Sequence, residues 1–219
     1  MERQAFLRPI ETALTAPPVS KSHPIPPAPA EIPELVFIDP MDDPITTFAD
    51  NAAGLGVEVR FAADRAGLVP IIDELARNEA IESAVLSFDP EIEGLESTMV
   101  ALGIEVVPFG SGVDIAQVDL GVTGAAGAIA RTGSIVVDSS RAGGGGASLV
   151  PPVHLAVVES AAIDATTSDW WRSMAERYPS GPPSQLVFIS GPSRSADIEQ
   201  TLTVGVHGPK RVWVAVVGR

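Results

Sequence analysis

The residues of this 219-residue chain best suited to chemistry are two histidines, a set of hydroxyls beside glycines, and a few arginines in glycine-rich or serine-rich settings. His207 lies in Gly205-Val206-His207-Gly208-Pro209, a loop ahead of a predicted strand. An imidazole there can accept or pass a proton. His154 follows Pro151-Pro152 in or beside an apolar strand, where a lone histidine is more often structural. These two are the candidates for proton transfer. No histidine pair has the spacing of four of a His-Glu-x-x-His helix, so a metal is not expected.

Anion recognition has more candidates. Gly191-Pro192-Ser193-Arg194-Ser195-Ala196-Asp197-Ile198 follows a predicted strand, and its proline and serine suit a helix start. A helix N-terminus presents free N–H groups, and Arg194 adds a forked cation for carboxylate or phosphate. The competing reading makes Ser193 a simple cap and Arg194 a solvated charge. A triad of Ser193, Asp197 and His207 has no support in the spacing, and the serine is not in a Gly-x-Ser-x-Gly elbow. Thr132-Gly133-Ser134 places two hydroxyls beside a glycine, to bind an anion or to satisfy local backbone. The region 121–146 holds 8 of the 20 glycines, with Gly124 in Gly121-Val122-Thr123-Gly124. That spacing matches neither the dinucleotide fingerprint nor a Walker A loop. It suits either backbone approach to a ligand or tight turns. Arg141 and the glycines after it read as a mobile binding loop.

An α/β scaffold is predicted to carry these residues. Strands are expected at 57–61, 83–88, 104–107, 118–122, 135–138, 153–158, 186–189 and 212–217. Helices are expected from Asp64 to about Asn78 (Leu68, Ile71, Ile72 and Leu75 on one face), from Asp89-Pro90 to Leu102, over Ala125–Ala130, from Asp164 to Tyr178, and over Ser193–Val204. Strand–helix–strand units with short links imply a mostly parallel sheet covered by helices. The first 34 residues hold eight prolines and form a separate tail or arm, leaving 35–219 as the domain.

Charge narrows the partners. The net charge is -14, with 19 acids and 6 bases in residues 1–110 against 9 and 8 in 111–219. Nucleic acid and anionic membrane surfaces are therefore excluded as partners, while a small anion in the nearly neutral half is not. With no cysteine, these residues can ligate no iron–sulfur cluster through thiolates. The start, Met1-Glu2-Arg3-Gln4, lacks the pattern of a signal peptide, so a cytoplasmic location is expected.

Several blocks together resemble the LUD domain, the family of lactate-utilisation protein C. They are Val122-Thr123-Gly124-Ala125, Ala130-Arg131-Thr132-Gly133-Ser134, Leu149-Val150-Pro151-Pro152-Val153-His154, Ile189-Ser190-Gly191-Pro192-Ser193-Arg194-Ser195-Ala196-Asp197-Ile198-Glu199, and Gly205-Val206-His207-Gly208-Pro209. The resemblance covers about residues 35–219. It implies a three-layer α/β/α fold similar to sugar-phosphate isomerases and coenzyme A transferases, with ligands at strand carboxyl ends. It further implies a part in oxidising L-lactate to pyruvate, beside an iron–sulfur protein and an oxidoreductase subunit. Arg131 stands where family members commonly have Glu, which removes the residue a transferase would acylate. The expected ligand set is Gly124, Thr132, Gly133, Ser134, Arg141, Gly191, Ser193, Arg194, Asp197 and Gly208, closing one pocket around a small anion. A sugar-phosphate or acyl-coenzyme A enzyme, and a non-catalytic assembly subunit, are the alternatives.

Overall fold

The computed structural model describes residues 41–109, 114–139, 145–179, 181, 183–195, 203–205 and 207–219. The proline-rich arm, Arg141 with its loop, and Asp197 lie outside the described residues. Six strands form one sheet in the order β1 (Val57–Ala62), β12 (Arg211–Val217), β7 (Val153–Glu159), β4 (Leu120–Gly124), β2 (Ser83–Leu86), β3 (Glu105–Val107). Every neighbouring pair is parallel, as the strand–helix alternation predicted.

Strand alternation sorts the core into two faces. Trp213, Ala215 and Val217 of β12, with Val153, Leu155 and Val157 of β7, join one cluster. Helix α2 (Leu68–Glu79) and helix α3 (Leu95–Ala101) cover that face with Leu68, Ile71, Ile72, Leu75, Leu95 and Met99. Val212, Val214 and Val216, with Ala156 and Val158, face the other way. There they meet Phe48 and Ala52 of helix α1 (Pro44–Gly54) and Ile135 and Val137 of a second sheet. That sheet has the order β8 (Ile163–Asp164), β5 (Gly127–Ile129), β6 (Ser134–Asp138), β9 (Leu186–Ile189). The second cover is thus one helix plus a small sheet.

Four predicted elements change. Ala125–Ala130 is not a helix: Gly127–Ile129 is strand β5, paired with β6 and β8 and followed by a 3-10 turn. Its residues are buried all round, so no amphipathic stripe was there to read. The helix predicted over Ser193–Val204 does not start at Ser193: Arg194–Ser195 (β10) pairs antiparallel with Thr203–Val204 (β11). Backbone bonds from the Ser193 N–H to the Pro209 carbonyl and from the Gly205 N–H to the Ser193 carbonyl, both 2.9 Å, hold the segment extended. The helix expected from Asp164 starts instead at Thr167. Thr166 caps it, accepting from the Asp169 N–H at 3.2 Å, and Asp164 belongs to β8. The stretch from Asp89 to Leu102 breaks at Glu93-Gly94 into a 3-10 turn and α3, with Gly94 at φ +83.

Candidate functional site

The predicted site residues fall at opposite edges of the main sheet. Gly124 ends β4 at the carboxyl edge, level with Val157 and, across β7, with Ala215. Ser193 is bonded to Pro209, ahead of β12 at the amino edge. From 209 to 215 the chain runs about 20 Å at roughly 3.3 Å per residue. One pocket using both the loop after β4 and the segment at Ser193 is therefore excluded by the parallel register.

At the carboxyl edge, Gly124 is pressed against acids. Its N–H donates to Asp89 Oδ2 at 3.1 Å, and a Cβ there would lie 2.5 Å from the Asp89 Cβ. The Ser87 hydroxyl also bonds that carboxylate. The N–H groups of Ala125 and Ala126 are taken by the Val157 and Val136 carbonyls. Arg177 is taken too, donating to the Ala126 carbonyl at 2.8 Å and to Asp164 at 2.7 Å. Burial raises the Asp164 pKa, and the Arg177 guanidinium works against that rise. This edge has a carboxylate at its centre and is ill-suited to a small anion.

Thr132, Gly133 and Ser134 lie where the second sheet meets α1. The Ser134 hydroxyl is 2.8 Å from Thr132 Oγ1 and 2.7 Å from Ser190 Oγ, a hydroxyl trio in which Ser190 was not anticipated. Gly133 has φ +59, and a Cβ on it would stand 2.5 Å from the Ala52 backbone nitrogen. Asn51 of α1 donates to the Ala130 carbonyl at 2.9 Å beside it. Gly191, at φ +90, packs on the Leu55 carbonyl, 2.9 Å from its would-be Cβ. Arg194 Nη2 donates to that same carbonyl. A cation on the last carbonyls of a helix neutralises its negative end. Arg194 therefore anchors β10 to the end of α1, in place of the free anion clamp expected of it.

His154 is a core residue. It is fully buried in β7, on the face of Ala156 and Val158 and between Gly121 and Val212. Its Nε2 is 2.9 Å from Thr123 Oγ1, and Nδ1 has no hydrogen-bond partner. Burial pushes its pKa down to about 4, so the imidazole is neutral at ordinary pH and reaches no solvent-borne ligand.

His207 keeps its promise of access. A cavity of about 340 Å³ at the amino edge is lined by Ala116, Leu149, Val150, Pro152, Gly205, His207, Gly208 and Lys210. Its frame is backbone: the Lys210 and Arg211 N–H groups donate to the Pro152 carbonyl at 2.8 and 3.2 Å. Gly208 fits under Ser193, whose Cβ would be 3.1 Å from a Cβ there. Both His207 and Lys210 are exposed, and among the described residues no carboxylate lines the cavity. Lys210 escaped the sequence reading, although it lies three residues after His207 and directly follows the block Gly205–Pro209.

The fold and these edges define a parallel-sheet α/β protein with a basic cavity at one edge and acids at the other. A family model described as LUD domain matches residues 112–217. A lactate utilization protein C from Halalkalibacterium halodurans is 33% identical over 154 residues, covering 67% of this chain and 67% of that protein. One from Deinococcus radiodurans is 35% identical over 129 residues, 57% of this chain and 60% of that protein. A crystal structure of a DUF162 family protein, also from Deinococcus radiodurans, matches with a TM-score of 0.62 at 26% identity, covering 82% of this chain and 100% of that one. The chain belongs to the LUD domain family. It spans about two thirds or less of the curated relatives' length.

Proposed function

We propose that this chain takes part in lactate utilisation and holds a small carboxylate, L-lactate or pyruvate, in the cavity of His207 and Lys210. The relatives' names support the first part. The observation that carries the second is a cavity of about 340 Å³ with two basic side chains and, among the described residues, no acid in its lining. Lys210 supplies the charge for the carboxylate, and His207 is the group able to exchange a proton with the substrate oxygen. The anion site thus moves from the carboxyl edge, where the family resemblance put it, to the amino edge. Removing two electrons from lactate requires an acceptor. In this reading the acceptor is a partner bearing an iron–sulfur cluster, since these residues include no cysteine. Among the described residues no helix is long and apolar enough to cross a membrane, which fits a cytoplasmic assembly.

Calorimetric titration of the full chain with L-lactate and with pyruvate tests the site. Saturable one-to-one binding that Lys210→Ala abolishes supports it. Unchanged binding by Lys210→Ala places the ligand elsewhere.

A further inference from the structure

A second cavity, about 580 Å³ and sharing no lining residue with that basic cavity, lies at the carboxyl ends of β2 and β3. Its walls are Leu86, Pro90, Ile92, Val106, Val107 and Pro108, with Phe88 and Phe109 at the mouth. The two rings stand edge to face, 6.2 Å between centroids. Phe88 is 71% exposed, the most exposed large apolar side chain among the described residues. An exposed ring bordering an apolar cleft, with a second ring against it, offers a stacking face to a partner. The cleft is also acidic: Glu93 and Glu96 line it, both exposed, and neither side chain has an ion pair or hydrogen bond among the described residues. Arg65, beside the cleft, is spent on the Pro90 and Glu93 carbonyls at 2.7 and 3.3 Å. Among the described residues no basic side chain lines the cleft.

Aromatic faces beside the Glu93 and Glu96 carboxylates select a cation with a flat, weakly hydrated body, which is a guanidinium before an ammonium. The same carboxylates repel phosphate, so a nucleotide is disfavoured. A volume of about 580 Å³ with an exposed Phe88 at its border suits a chain segment better than a small amine. We propose that this cleft docks an arginine-bearing segment of a partner protein, its guanidinium stacked on Phe88 and forked onto Glu93 or Glu96. The proposal is independent of the carboxylate cavity, since neither Lys210 nor His207 borders this cleft.

The test is calorimetry of the full chain with penta-arginine amide, penta-lysine amide and arginine amide as probes. One-to-one binding of penta-arginine is expected, about tenfold tighter than penta-lysine. Phe88→Ala, at an exposed position that folding tolerates, weakens it about tenfold, and Phe88→Trp retains it. The double change Glu93→Gln with Glu96→Gln weakens it and flattens its salt dependence. Trp171→Ala, removing a half-exposed ring elsewhere on the surface, leaves it unchanged. Three outcomes overturn the proposal. They are multi-site binding indifferent to Phe88→Ala, equal affinity for penta-lysine, and binding of arginine amide as tight as the peptide, which would mean a small-molecule site.

Discussion

Acid should weaken this fold through His154. The imidazole is fully buried with one nitrogen unpartnered, and its pKa falls from 6.5 to about 4. In the unfolded chain it takes a proton near pH 6.5; in the folded chain it does so only near pH 4. The contribution to stability is therefore whole above pH 6.5 and is lost as pH falls from 6.5 toward 4. At about 1.4 kcal/mol per pH unit the full effect is about 3 kcal/mol. Between pH 7.5 and pH 5 about 2 kcal/mol should go, which lowers a urea midpoint by about 1 M for a slope near 2 kcal/mol/M. Asp43 and Glu74 have pKa values lowered by hydrogen bonds from Thr46 and Arg60, so the stability they add is kept down to their ordinary values of 3.8 and 4.5 and is not lost between pH 7.5 and pH 5. Urea unfolding of wild type and His154→Leu at both pH values isolates the imidazole, because other titrations are common to the two. The expected outcome is a loss in wild type about 2 kcal/mol larger than in the variant. Equal losses in the two proteins would refute the reasoning.

Other outcomes follow from single contacts. Gly133→Ala must place a Cβ at φ +59 and 2.5 Å from a backbone nitrogen, and should cost about 2 kcal/mol or more in thermal or urea unfolding. Arg194→Ala frees the Leu55 carbonyl and should cost about 1 kcal/mol, with hydrogen exchange at the end of α1 rising before any global change. Leu75→Ala, in a fully buried position of α2, should cost between about 2 and 5 kcal/mol in urea unfolding. His207→Ala should weaken L-lactate or pyruvate binding without lowering the unfolding midpoint, because the side chain is exposed.

The main sheet was legible because its signals are local. The stripe of Leu68, Ile71, Ile72 and Leu75 is one face of a helix, and all four are buried in α2. The apolar runs of β7 and β12 need no partner to be seen. The second sheet was not legible, for a physical reason. Gly127–Ile129 is three residues long, and its state is set by pairing with Ser134–Val136 and with Ile163. Ser193 looked like a helix cap, yet the contacts that fix it come from Pro209 and Gly205, and Arg194 is fixed by Leu55. The site was legible in part. His207 stands at a cavity and His154 in the core, and the apolar run around His154 already pointed to a structural role. The separation of Gly124 from Ser193 was hidden, because strand order and direction decide which loops meet. Lys210 drew no notice in the sequence because it joins a cavity only through the residues that fold around it, Pro152 and Gly208 among them.

The most direct test of the proposed carboxylate site is an NMR titration that follows the three histidine side chains while L-lactate is added. The His207 imidazole should shift in a saturable way, the buried His154 resonance should stay in place, and Lys210→Ala should remove the His207 shift. A saturable lactate response that leaves His207 unmoved, or no response at all, would contradict the account.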